Sequence, residues 1–454
     1  MKFTDKVKKK KKNKKRKILK LCIMSSSAKD FINFLNEASG SPFVACQTVQ
    51  KRLESAGYVH LKENEVWNLE LHKKYYLVRD DSSLIAFRTN SANATSRIFI
   101  TSSHLDSPFL KLKPYPDLIK NNLALVSCEV YGGGIWHTWI DRDLGISGRV
   151  ILTNGERRIV SIKEPLFRIC GLAIHLDTER KYIIDKDKHL SAVCSEAASK
   201  KISAYDLLLN KIAIQLKVDV KDIISTDLCL CDCEPASLLS LNKYIVGQGI
   251  DNLNGVFTSL QGFFSSEQHN QNSQQIDMFV AFDNEEIGST NRRGAQSVFL
   301  TNTINRIHSI LFNNESIQSI YVAYAKSVVL SIDGAHASHP TVDVMEKNHP
   351  IRLNSGPVLK EHCGQKYMSD GLLRAMVVKA AGDIPTQTFV LKQSIIGGST
   401  IGPHVASTTG MTTIDLGNPM LSMHSIREMC GAFDVDYMIQ LIERSYTSFP
   451  DITF

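Results

Sequence analysis

Four apolar runs in the sequence stop abruptly and give way, within a few residues, to side chains that can hold a metal ion. Ile98-Phe99-Ile100 leads to His104 and Asp106, and Met278 to Phe282 leads to Asp283, Glu285 and Glu286. Val328-Val329-Leu330 leads to Asp333, then His336 and His339, while Thr413-Ile414-Asp415 leads through a turn to His424. Another carboxylate, Asp251, opens an Asp-Asn-Leu stretch. Taken singly, each has a plain structural explanation: a His after a strand is commonly a surface or capping residue, a Glu pair opens a solvated helix, and Asp-Asn-Leu caps one. Taken together, two imidazoles and three carboxylates, with a spare Glu beside one of them, are the donor set of a two-zinc hydrolase. Zinc accepts His nitrogen and carboxylate oxygen at about 2.0 to 2.2 Å. Two such ions, roughly 3.5 to 4 Å apart, can share a carboxylate and hold a hydroxide between them. A free Glu within hydrogen-bond reach can then move a proton from water to a leaving amine.

For these groups to converge, their apolar runs must be neighbouring strands of an open α/β sheet, where ligands bind beyond the carboxyl ends. The sequence fits that demand. Apolar positions at helical spacing predict a helix over 28–38, with Pro42 close behind it, and a second over 44–56 that stops at Gly57. Strands are expected at 74–78, 83–87 and 98–100, and buried strands at 276–282 and 328–332. Between about Pro108 and Ser240 strand-like pieces dominate, among them 123–131, 148–152 and 228–233, with a helix near 204–216 as the main exception. The expected architecture is an α/β domain, a mixed sheet flanked by helices, interrupted by a β-rich insertion. Its parts are a Lys-rich disordered tail (1–24), a first catalytic part (25–107), the insertion (108–244) and a second catalytic part (245–454).

Composition bounds the remaining possibilities. Of 454 residues, 43% are hydrophobic and 22% charged, the balance of an ordinary globular chain. The net charge of +7 is misleading, because eleven Lys and one Arg among the first 20 residues face only Asp5. The rest carries 41 basic and 45 acidic residues, so the body is mildly acidic and gives no sign of nucleic-acid binding. No apolar run approaches the roughly 18 to 20 residues of a membrane span. A secretory signal would need about 7 to 15 apolar residues after the basic tract. Here Lys20 interrupts the run directly after Ile18-Leu19. The globular pattern begins near Ser25, which makes Met24 a candidate start. Cys229, Cys231 and Cys233 alternate along one strand rather than forming zinc-binding Cys-x-x-Cys pairs. Reduced thiols and a cytoplasmic location are therefore expected.

From about Ala28 to Phe454 the chain resembles the aspartyl aminopeptidase family of dinuclear zinc exopeptidases. The likeness rests on SSHLDSP at 102–108, EVYGGGIWHTWIDRDL at 129–144, LAIHLD at 172–177, IDNL at 250–253 and DNEEIGSTNRRGAQS at 283–297. It extends through DGAHASHP at 333–340, SGPVLK at 355–360, GGSTIGP at 397–403 and MHSIRE at 423–428. The resemblance implies one zinc on His104 and Asp333, another on Glu286 and His424, and Asp251 bridging them. It makes Glu285 the general base and gives Asp106 the orientation of the His104 ring, a task with a clear physical purpose. Lys360 stands where the family has a cation for an acidic first side chain of a peptide substrate. His339 and His175 are further substrate-binding candidates, His175 by reaching a neighbouring subunit. The insertion corresponds to the family's dimerisation domain, whose dimers assemble into a dodecamer. The glycines and tryptophans of 131–139 suit an interface, or else an internal core turn.

Three departures from the family pattern touch substrate selection rather than metal binding: Gly249 in place of an Arg, Gly397 in place of a Cys, and Lys392-Gln393-Ser394 in place of an Asn or Asp. They keep two alternatives open: a dinuclear aminopeptidase for neutral N-terminal residues, and a silent assembly subunit of the same fold. Cobalt or manganese could replace zinc in a carboxylate-rich site.

Overall fold

Ser25 and Ser41 explain where the first two helices begin. In the computed structural model, which describes residues 25–177, 183–197, 203–270 and 272–449, each serine hydroxyl accepts an N–H from the first turn, capping Ser26–Ala38 and Pro42–Ser55. Pro42 does not merely follow the first helix. It occupies the opening turn of the second, where its missing N–H costs nothing. The Lys-rich tail lies outside the described residues.

The apolar runs become strands of a nine-stranded sheet. Its centre holds four mutually parallel strands in the order Ile276–Phe282, Ile98–His104, Val328–Ile332 and Thr412–Gly417. Antiparallel pairing appears on either side, with Ser83–Arg88 and with Val358–Lys360. Burial on both faces accounts for the unbroken apolar sequences. Phe99, Phe279, Val328 and Leu330 join one core with the helices Ser26–Ala38, Ile250–Ser265 and Ala432–Ser448. Ile98, Ile100, Met278, Val280 and Val329 join the other, against Phe299–Leu311 and Ile401–Thr409. The expected mixed sheet flanked by helices is what forms.

The insertion builds its own six-stranded antiparallel sheet from strands between Phe109 and Asp232, covered by Ala204–Leu216. Cys229 and Cys231 are buried on the strand Ile223–Asp232, and the described cysteines are free. Ser237–Leu239, placed with the insertion by sequence, and Tyr244–Gly247, at its expected boundary, belong to neither of these sheets. They pair into a five-stranded sheet completed by Glu428–Gly431, Pro419–Leu421 and Ala335–His336. Trp136 and Trp139 are buried in the insertion's core, so their apolar area serves this chain internally and is not free for an interface. Among the described residues, no helix is long and apolar enough to cross a membrane.

The central sheet sets the position of Asp333 through one close approach. The Asp333 N–H donates to the Leu416 carbonyl at 2.8 Å. A methyl group on Gly417 would stand 1.7 Å from the Asp333 carbonyl oxygen. Gly417→Ala must therefore displace Asp333, and overpacking of this kind costs about 1 to 3 kcal/mol. Urea unfolding should show that loss; a variant of unchanged stability would contradict this account.

Candidate metal centre

Three of the four central parallel strands deliver a ligand at or just beyond their carboxyl ends. His104 is the last residue of its strand, in register with Phe282, beyond which a short 3-10 turn presents Glu285 and Glu286. Asp333 follows Ile332 directly. Asp251 enters at the start of Ile250–Ser265, where it departs from helical geometry and its peptide bond to Asn252 is cis. Its carbonyl accepts the Ser107 hydroxyl at 2.5 Å. His424 comes from the turn between Pro419–Leu421 and Glu428–Gly431.

The five proposed ligands converge as two groups that share Asp251: His104, Asp251 and Asp333, and Asp251, Glu286 and His424. Asp251 divides its oxygens between them. Oδ1 lies 3.6 Å from His104 Nε2, and Oδ2 lies 3.3 Å from His424 Nε2. His104 Nε2 is also 3.4 Å from Asp333 Oδ1, and His424 Nε2 is 3.3 Å from Glu286 Oε1. Glu285 belongs to neither group, yet its Oε2 stands 3.9 Å from His104 Nε2. Asp251 Oδ1 and Glu286 Oε1 are buried without a hydrogen-bond partner, as befits oxygens meant for a cation. Imidazole and carboxylate donors around a shared carboxylate fit zinc.

The electrostatics say the same. Burial, with the charges of Asp333 and Glu286, holds the Glu285 carboxyl well above the usual range. Burial raises Glu286 to about 7 against the pull of His424, with Asp251 adding to the rise. Burial opposes charge on both histidines, but their carboxylate neighbours win: His104 is held well above its ordinary value and His424 is pushed up to about 12. Asp333 goes the other way, because Lys360 and His104 outweigh its burial. Too many carboxylates share this space to be ionised together without added positive charge.

The neighbours of the ligands fix their aim. His104 Nδ1 faces the Asp106 carbonyl at 3.0 Å and its carboxylate at 3.4 Å, turning Nε2 toward the cleft. The Asp106 carboxylate also accepts the backbone N–H groups of Glu285 and Glu286, so it places the Glu pair as well as the ring. The insertion takes part in a way the sequence did not reveal. Tyr131 donates its hydroxyl to Asp106 at 2.8 Å, and the Gly133 carbonyl faces His424 Nδ1 at 2.9 Å. A side chain on Gly132, at φ +74°, would come within 3.1 Å of Glu286 Cβ. The close run of glycines was the available signal, and its use lies at the metal centre. Glu428, also unassigned by sequence, is buried with both oxygens engaged near the ligands.

The ligands open into a cleft of about 420 Å³ whose lining includes Lys360, Tyr367, His336 and His404. Lys360 is the only Lys or Arg lining it among the described residues; its ammonium lies 3.3 Å from Asp333 Oδ2. His339 does not share this lining. It is exposed, and its Nδ1 accepts the Thr341 and Val342 N–H groups. His336, three residues earlier, faces the cleft instead. His175 is exposed on the insertion, away from this chain's own cleft.

Residues 34–446 match the family model described as aminopeptidase I zinc metalloprotease (M18). The chain is 34% identical to a probable aspartyl aminopeptidase of Ricinus communis, over 93% of this chain and 95% of that protein. Among solved structures it resembles the cryo-EM structure of the Ape4 and Nbr1 complex, with a TM-score of 0.89 and 34% identity, covering 93% of this chain and 86% of the other. It also resembles the mApe1 dodecamer of S. cerevisiae, with a TM-score of 0.81 and 25% identity, covering 93% and 97%.

The raised groups predict how the metal-free protein responds to pH. A group whose pKa is higher folded than unfolded stabilises the fold below its unfolded pKa and loses that contribution as pH rises through the folded one. For Glu286 the window runs from 4.5 to about 7. His104, His424 and Glu285 carry the same sign. Chelated protein should therefore lose Tm as pH rises through about 7, where Glu286 gives up its proton, while zinc-loaded protein, whose cations replace the protons, should lose less. Calorimetry with and without chelator reads the difference; parallel pH profiles would refute it.

Proposed function

The chain belongs to the M18 aminopeptidase I family and is a zinc aminopeptidase, and we propose that it removes single N-terminal Asp or Glu residues from peptides with two zinc ions held across Asp251. The observation that carries this reading is the division of the Asp251 carboxylate, one oxygen toward the His104 and Asp333 group and the other toward Glu286 and His424. Bound zinc supplies a polarised scissile carbonyl and a water acidic enough to lose its proton near neutrality.

This chain's residues do the rest. Glu285 lines the cleft yet stands outside both ligand groups. Its place beside His104 suits it to take the water proton on Oε2 and return it to the departing amine. Asp106 keeps Glu285 in place by accepting its N–H at 3.2 Å. Lys360 supplies a buried positive charge in the cleft wall. Once cations neutralise the acidic lining, that charge favours a carboxylate on the first side chain of the substrate. The relative named aspartyl aminopeptidase supports the same preference.

The likeness to a dodecameric structure supports a homo-oligomer joined through the inserted domain, in dimers that assemble further. The exposed His175 would then reach a neighbouring copy's cleft. A cytoplasmic location accords with the free thiols.

A panel of aminoacyl peptides tests the chemistry. Glu285→Gln keeps the size of the side chain and removes the base, so turnover should fall by at least about a hundredfold with zinc content near that of the wild type. Undiminished turnover would remove Glu285 from its role, and an inactive wild type with full metal content would favour a silent assembly subunit. Lys360→Met separates the substrate readings. Acidic peptides should lose roughly tenfold or more in kcat/KM, about 1.4 kcal/mol, while Leu-peptides change little. Equal losses on both would favour an enzyme for neutral N-terminal residues.

A further inference from the structure

Glu428 stands between two proposed ligands without being one. Its side chain is 1% exposed. Its two oxygens go to different partners: Oε2 accepts the backbone N–H of Asp251 at 3.0 Å, and Oε1 accepts the backbone N–H of His424 at 2.7 Å. One rigid carboxylate thus ties the residue shared by both groups to the residue that closes the second group. The strand that carries it, Glu428–Gly431, is held in register by Tyr244–Gly247, so the tie has a fixed base.

His424 has a specific need for this bond. Its φ is +68°, a conformation that costs a non-glycine residue energy and persists only where the surroundings over-determine it. The Ile135 N–H holds its carbonyl at 2.9 Å, the Gly133 carbonyl holds Nδ1, and Glu428 holds the N–H. The first two bonds come from the insertion. Glu428 alone among the three also reaches Asp251. It is therefore placed to set the spacing of Asp251 Oδ2 and His424 Nε2, now 3.3 Å.

From this geometry we propose that Glu428 is a positioning residue for the second cation position, between Asp251, Glu286 and His424, and has little effect on the position between His104 and Asp333. The inference rests on the two-ion reading above. Its chemistry is specific, because in the cation-loaded site an ionised carboxylate is an acceptor at both oxygens and meets two N–H donors at once. Glutamine keeps one acceptor and turns an NH2 group against the other donor. Aspartate keeps both acceptors but is one methylene too short to hold both bonds.

The test is stepwise loading of chelated full-length protein with cobalt, followed by its visible absorption and by calorimetry, beside kcat and KM. Wild type should take two ions. In Glu428→Gln the first ion should bind as in wild type and the second should weaken by about 10- to 100-fold, the range seen when a residue supporting a metal ligand is removed. The absorption of the second ion should change. At low free metal kcat should fall with KM nearly constant, and excess metal should restore it. If Glu428→Gln does not fold, Glu428→Asp should show the same selective weakening. As a stability control, Ile442→Ala opens a core cavity away from the ligands and should leave both affinities unchanged. Equal weakening of both ions in Glu428→Gln, or none, overturns the proposal while leaving the two-ion reading intact. A wild type that takes a single ion overturns both.

Discussion

Five carboxyl groups, those of Asp251, Glu285, Glu286, Asp333 and Glu428, are crowded together beside two imidazoles, and everything else in the molecule answers to that constraint. Such a cluster has two ways to exist. It can hold protons, as the raised carboxyl groups of Glu285, Glu286 and Glu428 indicate for the bare chain, or it can hold cations. In the second state the repulsion that raises those groups becomes binding energy, which is how a site expensive to build becomes a site that retains metal. Of the two carboxyl groups outside both ligand groups, Glu428 is engaged by the N–H groups of Asp251 and His424, which leaves Glu285 to handle protons.

The fold meets that expense by over-determining each ligand. His104 ends a strand buried on both faces, Asp333 is threaded against Gly417, and His424 is held at three points. Two of those three points come from the insertion, which leaves the catalytic sheet just after Asp106 and returns before Asp251. Its excursion is therefore not a separate module beside the site. Tyr131 and Gly133 lie within it; Tyr131 touches Asp106, which aims the His104 ring, and Gly133 holds the His424 ring directly. Any force that shifts the insertion relative to the central sheet must be felt at His424.

How much of this could be read from sequence depended on whether side chains or main chain do the work. The proposed ligands stood out because zinc accepts few residue types and because buried parallel strands announce themselves as short apolar runs. The central sheet and its flanking helices were legible for the same reason. Gly133 acts through a carbonyl that any residue possesses, so nothing in its identity points to His424. Glu428 acts on backbone N–H groups, and its partner Asp251 is 177 positions away. The five-stranded sheet escaped notice because its strands are two to four residues long, too short to show a period. His339 was misplaced because a motif with two histidines does not say which faces inward. The strand Ala335–His336 settles it, turning His336 to the cleft and leaving His339 to cap its own turn.

Lys360 joins selectivity to metal loading through the same charge balance. Its ammonium is held beside Asp333 and about 5.5 Å from the centre of the Tyr367 ring, so in the bare chain it partly neutralises a ligand and has little field to spare. Among the described residues, no other Lys or Arg lines the bare cleft to receive an acidic substrate. On the two-ion reading, the cations take over the charge of Asp333 and the other ligands, and the field of Lys360 is released toward the cleft, where low dielectric keeps it strong. Preference for an acidic first residue would then be a property of the loaded enzyme rather than of the chain, and the cofactor that activates water would also admit the substrate.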